Sequence, residues 1–178
     1  AIYHLTQGKN GLSSLELARR LGVSHYTAWK IQHKLMQVML ERDQDKPLAG
    51  ERIEVDDASI GGERSGGKRG RGSAGKTPLV AAVETTSDGK PVRLKLRRVT
   101  GFSGASISAF AKSSLGPDCA VVTDGLHCFT SVTDAGCSHE VIKTGSGPRA
   151  AQTPAFKWVN TALGNIKAAI AGTYRSIN

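Results

Sequence analysis

The residues with the clearest chemical potential are carboxylates standing where apolar side chains are expected. In the stretch RIEVDDASIGG, residues 52–62, a strand-like alternation is interrupted by Asp56 and Asp57. Burying a carboxylate in a strand is costly unless a charge partner or a metal meets it. Alternation with period two puts Ile53, Val55 and Asp57 on one face and Glu54, Asp56 and Ala58 on the other. Asp56 and Asp57 are therefore expected to face opposite ways, one turned into a site while the other is solvated or paired locally. Asp124 closes the apolar run CAVV at Thr123-Asp124-Gly125, the carboxyl end of a strand, where sites gather in open sheets. Two aspartates on two strands suit hard divalent cations such as Mg²⁺, although an aspartate before glycine also reads as a turn cap. No recognisable motif ties a serine or cysteine nucleophile to His127 or His139, and His127 is the histidine placed closer to Asp124.

A second candidate is GRGSAGKT, Gly70 to Thr77, which fits the nucleotide-binding pattern G-x-x-x-x-G-K-[ST] letter for letter. A phosphate clamp of that kind needs a buried strand leading into the loop and a helix starting at its Lys-Thr end. Here the polar run GGERSGGKR precedes it, and Pro78 with LVAAV follows, which predicts a strand. The stretch is expected to be a basic connection between two strands, with Lys68, Arg69, Arg71 and Lys76 contacting phosphates of nucleic acid.

The elements that must position these groups fall into two parts. Residues 1–45 are expected to be helical. Ser13 or Ser14 can cap a helix carrying Leu15, Ala18 and Leu21, Gly22 ends it, and Ser24 caps a second helix with the stripe Ala28, Ile31, Leu35 and Val38. The short turn predicts a helix-turn-helix, with an ordinary helical hairpin as the alternative and Tyr26, Lys30 and Lys34 on the side facing DNA. The run DQDKPLAG is a linker. From residue 46 to 178 the pattern is strand, strand, strand, helix, strand, short helix, strand, helix: an α/β mixed sheet flanked by helices. In the third strand Val92, Leu94 and Leu96 share one side, and in the last helix Val159, Ala162, Ile166, Ala169 and Ile170 face inward.

The chain has 178 residues, a net charge of +9 and a pI near 9.7. Ten Lys or Arg lie between Arg64 and Arg98 against Glu84 and Asp88 alone, which favours a polyanionic partner. No run reaches the roughly 18 apolar residues of a membrane span, so a cytoplasmic protein is expected. Cys119, Cys128 and Cys137 form no C-x-x-C pair and read as reduced core thiols. The chain starts without Met and stops just after a helical pattern, which reads as a piece of a longer protein.

Taken together in this order, VDDASIGG, RGRGSAGKTP, VVTDG and WVNTALGNIKAAIAGTY resemble the transposases of the insertion-sequence 1595 family. The resemblance implies an RNase H-like catalytic domain behind a helix-turn-helix, and a domain cut short at its C-terminus. It implies Asp56, Asp124 and Asn160 as catalytic metal ligands for Mg²⁺ or Mn²⁺, two ions in all, with Lys167 seven residues further on. Thirty-five residues intervene between Asp124 and Asn160, an interval similar to that of the wider Asp-Asp-Glu group, in which glutamate stands where this chain has asparagine. The implied activity is cleavage and strand transfer on double-stranded DNA, at the terminal inverted repeats of the element and in its target, by a homo-oligomer in the bacterial cytoplasm at the nucleoid. Two alternatives stay open from the residues: a helix-turn-helix regulator or inactive remnant, and an RNase H-like metal-dependent nuclease.

Overall fold

The computed structural model describes residues 1–8, 11–61, 75–144 and 153–173. Two compact units divide the chain. One comprises residues 1–46 and the end of the last helix from Asn165; the other runs from Pro47 to Gly164.

The first unit contains α1 (Ile2–Gln7), α2 (Ser14–Leu21) and α3 (His25–Gln44). Ser13 caps α2 by accepting the Glu16 N–H, and Ser24 caps α3 by accepting that of Thr27, each at 3.2 Å. Gly22 ends α2 at φ 66°, a left-handed conformation that costs glycine nothing. Leu17, Ala18 and Ala28 form a small core with Leu5, Leu12 and Leu21 packed on it. The expected stripe of α3 is only partly inward. Ala28 is buried, Ile31 and Leu35 are half-buried and Val38 is 49% exposed. The reason is length, since α2 has 8 residues and α3 has 20, so α2 can cover only the first turns of its neighbour.

In the second unit β1 (Arg52–Ile60), β2 (Thr77–Thr85), β3 (Pro91–Arg98), β4 (Ala120–Thr123) and β5 (Ser138–Val141) form one mixed sheet in the order β3-β2-β1-β4-β5. β1 is antiparallel to β2 and parallel to β4, and β5 continues parallel to β4. The helix α4 (Gly104–Ser114) and a 3-10 helix (His127–Ala135) cover one face. Their Ile107, Phe110, Phe129 and Val132 pack on Ile53, Val55, Val80 and Val121. The other face carries α5 (Lys157–Thr173), whose Val159 and Leu163 pack with Ala58, Leu79, Ala81 and Val122. This is the expected RNase H-like arrangement, an α/β mixed sheet flanked by helices with a helical segment ahead of it.

Val92, Leu94 and Leu96 share one side of β3 and the expected face of α5 is turned inward, but both are covered only in part. Val92 and Leu94 are exposed while Lys95 is buried. In α5, Ala162, Ile166, Ala169 and Ile170 are half-buried, and Leu163 is buried with Val159. β3 ends the sheet, and the apolar contacts of α5 centre on β1, β2 and β4, so alternation set the faces but not how far each was covered. All three cysteines are buried and free, and burial pushes the Cys119 and Cys137 thiols up from the ordinary thiol value.

Candidate active site

The site arises from a mismatch between strand lengths. β1 pairs with β2 along its whole length, from Arg52 to Ile60, but with β4 only from Arg52 to Glu54. β4 stops at Thr123, and the chain leaves the sheet at Asp124 and Gly125. Residues 55–60 of β1 thus extend past β4, and Asp56 and Asp57 lie on that overhang beside Asp124.

Carboxylate oxygens of Asp56, Asp57 and Asp124 lie within 4.8 Å of one another, and all three residues are half-buried. The expectation that the two adjacent aspartates part ways is corrected here. The alternation itself holds, since Ile53 and Val55 enter one core and Ala58 the other. With no β4 partner along this edge, two short side chains from opposite faces can still bend round to the same point. The Asp57 N–H donates to Asp56 Oδ1 at 2.8 Å, which holds the Asp56 carboxyl against its own strand. Asp124 Oδ1 accepts the Leu126 N–H at 3.1 Å, so the turn-capping role and the place in the cluster coexist. Gly125, at φ 90°, makes that turn, and a Cβ there would stand 2.8 Å from Val141 Cγ1.

Three like charges at this spacing repel by roughly 3 kcal/mol or more per pair at an effective dielectric of about 20. A divalent cation offsets that repulsion. With Mg²⁺–oxygen distances of about 2.1 Å, two ligands on opposite sides of one ion stand about 4 Å apart. The donor set, all oxygen and half-buried, therefore fits a hard metal.

Asn160 lies in the first turn of α5, half-buried. It is not the helix cap. The Trp158 and Val159 N–H groups at this end both donate to Glu54 Oε2 at 2.9 Å. Glu54 is 3% exposed, and burial raises its pKa above the ordinary glutamate value while the two N–H bonds oppose the rise. It shares a strand face with Asp56 two residues on, so it joins the strand of the first aspartate to the helix of Asn160. Arg52 donates to the Ala155 carbonyl and the Trp158 indole to that of Gly89, fixing the same end of α5. Glu54 is not among the residues expected in the site, although a glutamate at an inward position is itself the signal. Lys167 is exposed and lies about 10 Å further along the helix axis.

Thr123, fully buried, has its Oγ1 2.8 Å from His139 Nε2, and burial lowers the pKa of that histidine. His127 is exposed at the start of the 3-10 helix. Neither joins the acidic cluster.

On α3, Tyr26 is 63% exposed, and Lys30 and Lys34 are exposed as well. Lys30 Nζ sits 4.4 Å from the Tyr26 ring centroid, Trp29 stacks parallel to Tyr26 at 6.4 Å, and His33 lies 4.2 Å from Trp29. Trp29 and His33 thus extend the expected surface, and their spacing of three and seven from Tyr26 was the available signal. Lys68, Arg69 and Arg71 lie outside the described residues. Lys76 is exposed, and β2 begins at the next residue. The Lys-Thr end of GRGSAGKT therefore opens a strand, where a nucleotide clamp requires a helix.

A family model described as the ISXO2-like transposase domain matches residues 47–178. No curated protein matches the chain. No described helix is long and apolar enough to cross a membrane.

Proposed function

Because the chain belongs to the ISXO2-like transposase domain family, we propose that it cuts and joins DNA at the ends of an insertion sequence. The observation that carries this reading is the convergence of Asp56 and Asp124 at the end of the central strands. Asp56 and Asp124 would hold the metal, with Asn160 and Asp57 as further oxygen donors. Two divalent ions, Mg²⁺ or Mn²⁺, supply in such a site an activated water or 3′-hydroxyl and charge stabilisation at the leaving oxygen. The rest is positioning. The Asp57 and Leu126 N–H groups each hold one oxygen of the Asp56 and Asp124 carboxyls, which fixes the direction in which each would meet the metal. Glu54 holds the start of α5, so that the neutral Asn160 amide adds an oxygen without further negative charge.

Residues 1–45 form the DNA-reading part and residues 46–178 the catalytic part. Tyr26, Lys30 and Lys34 on α3 face the major groove or its phosphates, joined by Trp29 and His33. Lys68, Arg69, Arg71, Lys76 and Lys167 contact phosphates, which set register without reading sequence. Joining two ends to one target calls for at least two copies of the chain, acting on nucleoid DNA in the cytoplasm. The test is incubation of the protein with labelled duplexes carrying the terminal repeats, with and without Mg²⁺. Joined products that vanish in Asp56→Asn and Asp124→Asn are expected. Cut products alone would favour a nuclease, and a shifted band without chemistry a DNA-binding regulator.

A further inference from the structure

The sheet face that carries Asp57 also carries a groove that this reading leaves unused. β3 ends in Arg97 and Arg98, and with Thr100 they line one side of a cavity of about 290 Å³. Ser106 and Ser113 of α4 line the other side, and its floor is Val99 and Phe110 of the core. The register places Asp57 opposite Val80 and Val80 opposite Arg97, so the three share one face, whereas Arg98, opposite Leu79, belongs to the other face and borders the cavity from the exposed end of β3. Two strand spacings separate Arg97 from Asp57, about 10 Å. That is the axial rise of about three nucleotides in one strand of duplex DNA.

The two arginines differ from Arg52 and Arg93 of the sheet and from Lys90 in the turn before β3. Arg93 pairs with Glu84 at 3.0 Å, Arg52 with Glu140 at 3.8 Å and Lys90 with Asp88 at 2.8 Å. Neither Arg97, which is half-buried, nor Arg98, which is exposed, forms an ion pair among the described residues. At the end of the groove, Thr100 Oγ1 and Ser106 Oγ are 2.9 Å apart. Guanidinium groups beside hydroxyls over an apolar floor match a phosphodiester backbone, whose oxygens accept from both while the sugar edge lies on the floor. We propose that this groove binds the sugar-phosphate backbone of the DNA strand that passes through the acidic site. The inference rests on the function proposed above for that site.

The test measures affinity of the full chain for a fluorescent duplex as a function of salt, on two unrelated sequences. Arg97→Ala/Arg98→Ala is compared with Lys90→Ala/Lys112→Ala, which removes the same charge from exposed positions outside the groove. Each phosphate contact contributes about 0.9 to the slope of log affinity against log salt. Losing two contacts should flatten the slope by about 1.8. Over a fourfold rise in salt the wild type should then lose about 12-fold more affinity than the arginine variant. The lysine variant should change by less than half as much, and both sequences should respond alike. Equal slopes in the two double variants would reduce the arginines to general surface charge and overturn the proposal. Arg97→Gln/Arg98→Gln, which keeps most of each side chain, repeats the comparison if alanine lowers the unfolding midpoint. The Mg²⁺ joining assay separates this inference from its premise. Joining by the wild type with no slope difference sinks the groove alone, whereas a slope difference without joining or cutting upholds the groove and sinks the chemistry.

Discussion

Glu54 offers the sharpest perturbation, because one buried carboxylate oxygen holds two N–H groups at the start of α5. In Glu54→Ala the Trp158 and Val159 N–H groups lose their acceptor in a place closed to water. Each unsatisfied buried donor costs about 1–3 kcal/mol, so the loss should be about 3–5 kcal/mol. Against a typical total stability of about 5–15 kcal/mol this is large, and it should lower the Tm by roughly 6–20 °C. Glu54→Gln keeps an acceptor and removes the charge, so its cost should stay near 1–2 kcal/mol. The two variants also differ in pH response. Burial raises the pKa of Glu54 in the folded state, so the folded chain holds this proton more tightly than the unfolded one. The stability this contributes is fully present below the ordinary glutamate range. It is lost as pH rises through the raised folded value. The Tm of Glu54→Gln relative to wild type should therefore climb across that window. Thermal unfolding at a series of pH values, with Mg²⁺-dependent joining measured alongside, reads both effects. Joining should survive in Glu54→Gln and fall in Glu54→Ala even at temperatures where that variant is folded. A pH-independent Tm difference, or an unchanged Tm in Glu54→Ala, would refute the reasoning.

Four further outcomes follow from the site. Asp57→Asn should reduce Mg²⁺-dependent joining by about 10–100-fold, less than Asp124→Asn, as suits a supporting donor; equal rates in Asp57→Asn and wild type would remove Asp57 from the metal site. Asn160→Asp should retain joining while Asn160→Ser loses most of it at a similar Tm, and Lys167→Ala should weaken DNA binding without changing Mg²⁺ affinity, as titrations of each would show. Gly125→Ala should cost about 2 kcal/mol, since the residue takes φ 90° and its Cβ would meet Val141, and denaturant unfolding measures that loss.

The strands, caps and helix order were legible because each rests on local pattern: Ser13 and Ser24 before apolar periodicity, Gly22 after it, and alternation through β1. Asp124 was legible because a strand end is marked by the change from CAVV to TDG. The meeting of Asp56 and Asp57 was not, since it depends on where β4 stops pairing, and pairing partners are not written in β1 itself. Glu54 was passed over because its partners lie more than 100 residues away. The exposure of Val38, Val92 and Leu94 was hidden for a related reason. Periodicity tells which way a side chain points and is silent on whether anything lies opposite.

The overhang of β1 past β4 has a consequence for solubility as well as for chemistry. Among the described residues no strand pairs with that stretch on the β4 side; an unpaired edge is a template on which a strand of another molecule can add, and charges along such an edge discourage it. Asp56 and Asp57 stand on that stretch, so they guard it from edge-to-edge growth. Neutralising both should then leave a chain that not only fails to join DNA ends but also self-associates as concentration rises. Lengthening β4 by two residues would sheathe the same edge, giving a better-behaved sheet with its acidic corner sewn shut.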